Sequence, residues 1–174
     1  LELRCRLDDR RWRLASAGQG VVLVALTSIH WRESWKYGER AFRYCQHDLG
    51  HAIGAVRIAA AILGWRAQLL SGWSDRAIAA LTGIDRQDDF MDAEREEPGC
   101  VMAIHGGTLT MPTHGSDAFV EAAQEGEWFG RANRLSEDHV PWTFIDDVAR
   151  ATEDGGRQAG HRADRVDVPA RDGR

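Results

Sequence analysis

The sequence predicts an α+β fold, and three features carry that reading. Runs of aliphatic and β-branched residues at 21–27 and 100–104 are too short for helices and read as strands. A long helical pattern over 48–63 is apolar on more than one side, as in a buried helix. Glycines punctuate the joins, with Gly64 after the helix and His105-Gly106-Gly107 after the second strand. The expected architecture is a central antiparallel or mixed sheet flanked by helices, with a long buried central helix.

The elements follow in order. Residues 1–19 are mixed, with an arginine-rich run ending at Arg13. After the first strand the pattern turns helical from Trp31 to Tyr44. In the helix over 48–63, Leu49, Ile53, Val56, Ala60 and Leu63 form one face, Ile58 and Ile62 lie on another, and Gly50 and Gly54 allow close backbone approach. Residues 65–70 read as a second strand, turned by Ser71-Gly72 into a short helix with Ser74 as N-cap. Acidic, irregular sequence spans 85–97 before the strand at 100–104. A loop at 106–117 and helices at 117–124 and 142–151 complete the pattern. From Glu153 the chain is rich in Gly, Arg and Asp and reads as a disordered tail or linker.

Composition narrows the function classes. The 174 residues suit one domain plus a tail, with 43% apolar and 28% charged residues. A net charge of −5 without a basic stripe argues against a nucleic-acid partner. Cys5, Cys45 and Cys100 are odd in number and widely spaced, so a reduced, cytoplasmic protein is expected. No run approaches the ~20 apolar residues of a membrane span. The chain opens on Leu1, so an N-terminal part is expected to be missing. Lys36 is the sole lysine among many arginines.

Three stretches could carry chemistry. The densest is Trp31-Arg32-Glu33-Ser34-Trp35-Lys36-Tyr37-Gly38-Glu39-Arg40-Ala41-Phe42-Arg43-Tyr44. By residue type alone it is an amphipathic helix with aromatic anchors. Read chemically, it is an acid/base site: a tyrosine working near neutral pH needs a nearby ammonium to favour its phenolate. Adjacent helical residues do not face each other, so that help requires a turn or a shared ligand. The second stretch, Cys45-Gln46-His47-Asp48-Leu49-Gly50-His51, sets two histidines four apart, the spacing of a zinc-binding helix. Its plainer reading is a helix start complemented by Asp48, and no metal is expected. The third, Leu63 through Trp73, is helix, strand and glycine turn; such a turn can aim backbone N–H groups at an electron-rich ligand.

In this order the stretches resemble the nitroreductase-like flavoprotein superfamily, and within it the SagB-type dehydrogenases that include the azoline oxidases of thiazole- and oxazole-forming pathways. The resemblance runs over about residues 20–105. It is carried by Trp35-Lys36-Tyr37-Gly38-Glu39-Arg40-Ala41-Phe42-Arg43-Tyr44, Asp48-Leu49-Gly50-His51-Ala52 and Ala59-Ala60-Ala61-Ile62-Leu63-Gly64-Trp65. It implies a nitroreductase-like fold and an FMN-dependent oxidoreductase, of dehydrogenase or nitroreductase type, with hydride passing through flavin N5. Lys36 and Tyr37 take the catalytic, proton-handling role, and Ser71, Gly72 and Arg40 the cofactor-binding one. The partners implied are a second copy or a tandem nitroreductase-like domain, and a small-molecule or peptide substrate. Trp128 to Ser136 resembles the linker of tandem members. The superfamily's Arg-Ser-Arg grip on the FMN phosphate has no match, leaving Arg10, Arg11 and Arg13 as substitutes. The expected organisation is a partial nitroreductase-like domain over 1–107, a helical linker or extension over 108–152 and a tail or inter-domain linker over 153–174. Two alternatives stand beside it: a non-catalytic flavin-fold half serving dimerisation or as a lid, and a zinc hydrolase using His47 and His51.

Overall fold

The computed structural model describes residues 3–91, 93–108, 115–137 and 142–156. A short strand β1 (Arg4–Arg6) leads into helix α1 (Asp9–Ala15), whose N-cap Asp8 accepts from the N–H groups of Arg10 and Arg11. Strand β2 (Val21–Ser28) follows, then α2 (His30–Tyr37), a 3₁₀ turn at Gly38–Arg40 and the 22-residue α3 (Ala41–Ile62). Next come β3 (Arg66–Leu69), α4 (Asp75–Thr82), a second 3₁₀ turn at Gln87–Phe90 and β4 (Glu97–His105). Helix α5 (Asp117–Gln124), strand β5 (Glu127–Phe129) and helix α6 (Thr143–Ala151) close the order.

The main sheet is antiparallel, ordered β2-β4-β3, so the most buried strand is central. A register shift between Leu26 and Thr27 bends β2 near Pro98, which has no N–H for the ladder. Val21, Val101, Ala103, Leu70 and Ile78 form the core with Trp73 and Phe119, and Trp12, Leu23 and Ala25 pack around them. The α+β expectation and the antiparallel sheet stand.

The arginine-rich start, read only as mixed, forms β1 and α1, because Asp8 caps α1 and β1 pairs with β5 in register Cys5↔Trp128. Two expectations are corrected. The helical pattern over 31–44 is two helices, broken where Gly38 adopts φ +58°, and the next helix begins at Ala41 rather than Asp48. A side chain at Gly38 would be strained at that φ, and the Trp142 ring lies 3.5 Å from where its Cβ would stand. Finally, α3 is not buried. It packs on β2, β3, α2 and α6, but only Ala41, Cys45 and Ala60 are fully covered, and Ile62 is 80% exposed. A three-stranded sheet is too narrow to cover a 22-residue helix that is apolar on more than one side.

The segment 108–152 supplies Phe119 to the core and α6 to the flank of α3, so both belong to the same packed body as the sheet. Of the tail, residues 153–156 lie against α4; 157–174 fall outside the described residues, as does the stretch 109–114 of the expected loop.

Candidate functional site

Two places bring chemistry-bearing side chains together. The first is the corner between α2 and α3. Because Gly38 ends α2, Lys36 and Tyr37 sit at a helix terminus rather than on a regular helix face. Lys36 Nζ lies 5.0 Å from the Tyr37 ring centroid, in the last turn of α2. Tyr37 stacks on Tyr44 with centroids 4.1 Å apart and planes at 27°. The Lys36 ammonium is pushed upward, first by its hydrogen bond to Tyr37 and then by the charges of Tyr37 and Glu33, so it stays cationic. Lys36, Arg40 and Arg43 are all exposed here. The corner is thus a stacked tyrosine pair with Lys36 over one ring.

The second is a cavity of about 480 Å³. Phe42 and Gln46 of α3, the β3 end with Ser71, Trp73 and Ile78 line it, together with Glu97 to Cys100 on β4. His30 contributes from α2, and Ala149, Thr152 and Asp154 from the C-terminal segment. Four of its titratable groups are displaced toward neutrality. Burial pushes the His30 imidazole down, and burial pushes the Asp75 and Glu97 carboxyls and the Cys100 thiol up. Glu97 is also raised by Asp146 and Asp75 and opposed by Arg95, whose Nε stands 2.5 Å from its Oε1. Trp73 Nε1 is buried without an acceptor among the described residues.

The expected site residues are therefore divided. Lys36, Tyr37 and Arg40 share the corner; Ser71 lines the cavity, and Gly72 is the next residue of the same turn. None of the corner three lines the cavity. FMN pairs a flat aromatic ring with a dianionic phosphate, and the donor sets at the two places fit it differently. The cavity has three carboxylates on its wall and no lysine or arginine among the described residues, so it does not fit the phosphate. The corner carries the residue types, tyrosine rings and a cation, that an anionic aromatic group would use. Arg10, Arg11 and Arg13 sit on α1 against α5, with Arg11 ion-paired to Glu125, and none lines the cavity.

His47 and His51 are exposed on α3, and His51 Nδ1 stands 3.8 Å from Asp48 Oδ1. Among the described residues no group of three or more His, Cys, Asp or Glu side chains is placed to hold a metal ion. His114 lies outside them. The thiols are screened: Cys45 is pushed up to about 11, first by burial and then by Glu33 and Asp48.

Sequence reasoning missed the cavity residues His30, Asp75, Glu97 and Asp154. Each is isolated in the chain, and only the packing of α2, α4, β4 and the C-terminal segment brings them together. The single local signal was Asp75 beside the N-cap Ser74. No protein-family model, curated protein or solved structure matches this chain.

Proposed function

We propose that this chain is part of an FMN-dependent oxidoreductase, of dehydrogenase or nitroreductase type and akin to the SagB branch, with Lys36 and Tyr37 as its proton-handling pair. The observation that carries the reading is the meeting of the Lys36 ammonium with the Tyr37 ring at the Gly38 break. Arg40 would hold the cofactor's negative charge at the corner, whereas the Ser71-Gly72 turn, which the resemblance assigns to its ring, belongs to the separate cavity. FMN, when bound, supplies the hydride chemistry. The chain's own task is to hold a proton at the Tyr37 hydroxyl and deliver or remove it, with Lys36 fixing the local charge and Tyr44 fixing the ring.

The exposed side of α3 bears on assembly. Ile58, Ile62, Leu63 and Trp65 are all exposed in the single chain, which suits a second copy or a tandem domain laid over them. The same surface favours the second reading, a non-catalytic half that serves dimerisation. Titrating FMN while following its fluorescence tests the flavin reading. Saturable binding weaker than about 1 μM is expected, since the phosphate grip is incomplete, and Arg40→Ala should weaken it several-fold. Absence of any saturable binding would remove the flavin assignment.

A further inference from the structure

The C-terminal segment that follows α6 forms part of the cavity wall and is held there by few, identifiable contacts. Asp75 N–H donates to the Asp154 carbonyl at 2.9 Å, and Asp154 N–H donates back to Asp75 Oδ2 at 2.8 Å. Gly156 N–H then donates to Asp154 Oδ1 at 2.9 Å, turning the chain at φ +79°. A Cβ at Gly156 would stand 3.0 Å from the Gly72 carbonyl oxygen and 3.0 Å from Ser74 N, so only glycine lets the segment lie this close. The latch also uses the first turn of α4, where Asp154 O takes up an N–H that the helix itself leaves unpaired.

These contacts differ in kind from those of the body. None of residues 152–156 belongs to the core, and Thr152 to Gly155 are exposed. The latch consists of polar bonds at the surface, where water competes for each donor and acceptor. Yet Ala149, Thr152 and Asp154 wall the cavity that Ser71, Glu97 and Cys100 also line, and Gly156 lies over Gly72. Few apolar contacts and exposed hydrogen bonds mark a segment that opens locally while the core stays closed.

We propose that residues 152–156 form a releasable strap that closes the cavity, latched by the reciprocal Asp75–Asp154 bonds and by the glycine contact at Gly156. With the strap down, the cavity floor at Trp73 and Cys100 is shielded; with it released, that floor is open to a ligand. The strap is thus an autoinhibitory contact built into the chain, and its existence does not depend on which ligand the cavity takes.

Cys100 provides the readout, because it is buried in the cavity wall behind the strap, whereas Cys45 is buried on α3 and does not line the cavity. Iodoacetamide labelling of the full chain, resolved by peptide mass, reports each thiol separately. Gly156→Val strains the backbone and crowds Gly72, and Asp75→Ala removes one latch bond outright. In both variants Cys100 should label about tenfold faster, equivalent to about 1.4 kcal/mol of easier opening, with Cys45 unchanged. Unchanged Cys100 labelling in both variants would overturn the strap. Equal acceleration of Cys100 and Cys45 would overturn it too, since the segment would then open only with the whole fold.

Discussion

Replacing Phe119 by alanine tests whether α5 belongs to the same cooperative core as the sheet. Phe119 is 1% exposed, meets Trp12 edge-on with centroids 5.3 Å apart and lies 5.7 Å from Trp73. It touches a cluster drawn from β2, α4 and β4. Truncating a fully buried phenylalanine costs about 3–5 kcal/mol, from lost transfer energy and the cavity left behind. For a chain of this size each kcal/mol lowers Tm by about 2–4 °C, so Phe119→Ala should melt about 6–20 °C earlier. Phe144→Ala is the control: that ring is 54% exposed on α6, and its loss should cost about 1 kcal/mol or less. Urea unfolding followed by tryptophan fluorescence reads both, with Trp12 and Trp73 reporting from the affected cluster. A loss below about 1 kcal/mol for Phe119→Ala would show that 108–152 is an appendage rather than part of the core.

Further outcomes follow from the same structure. Glu94, buried, accepts from the N–H groups of Leu135 at 2.9 Å and Ser136 at 2.8 Å; Glu94→Gln should cost about 1.5–3 kcal/mol and speed amide exchange at both positions. Unchanged exchange there would refute that clamp. His30 is held below its ordinary 6.5 by burial, with Asp146 opposing and Arg95 assisting. The unfolded chain therefore binds the extra proton more readily, and His30's contribution, present above that value, is lost as pH falls through it toward the folded value. Asp75 and Glu97, raised by burial, act in the opposite sense, favouring the fold as they protonate. Comparing His30→Gln with the parent isolates the histidine: the variant's Tm should fall less between about pH 7 and pH 5, and parallel curves would contradict the assignment. Ile62→Glu should leave Tm nearly unchanged, because the site is exposed, while converting a concentration-dependent dimer to monomer in light scattering. A parent chain that stays monomeric at high concentration would remove the assembly argument.

What was legible in the sequence was local. The apolar run at 21–27 is β2 but for one residue. Ser74 caps α4 as its side chain suggested, accepting from Ala77 N–H at 3.1 Å. Gly83, left-handed at φ +79°, then stops that helix. Periodicity failed where a single residue overrode it, as at Gly38, since the aromatic spacing runs through the break without interruption. It failed again on α3, because an apolar face records that something could cover it, not that this chain does. Asp8 was an unread helix signal in a stretch dominated by arginine. The cavity carboxylates were illegible for another reason: Asp75, Glu97 and Asp154 are far apart in sequence and become neighbours only through tertiary packing. The proximity of Lys36 to the Tyr37 ring, at the end of α2, is a side-chain geometry that only the structure gives.

The most direct test of the account is reduction of a nitroaromatic acceptor by the protein supplied with excess FMN and a nicotinamide reductant, measured for the parent, Lys36→Ala and Tyr37→Phe. Neither residue belongs to the core, so both variants should fold and bind FMN as the parent does. Both should turn over about 10²–10⁴-fold more slowly, the usual contribution of a positioned acid or base. Parent-like rates in both variants would contradict the proton-handling role and the flavin chemistry built on it.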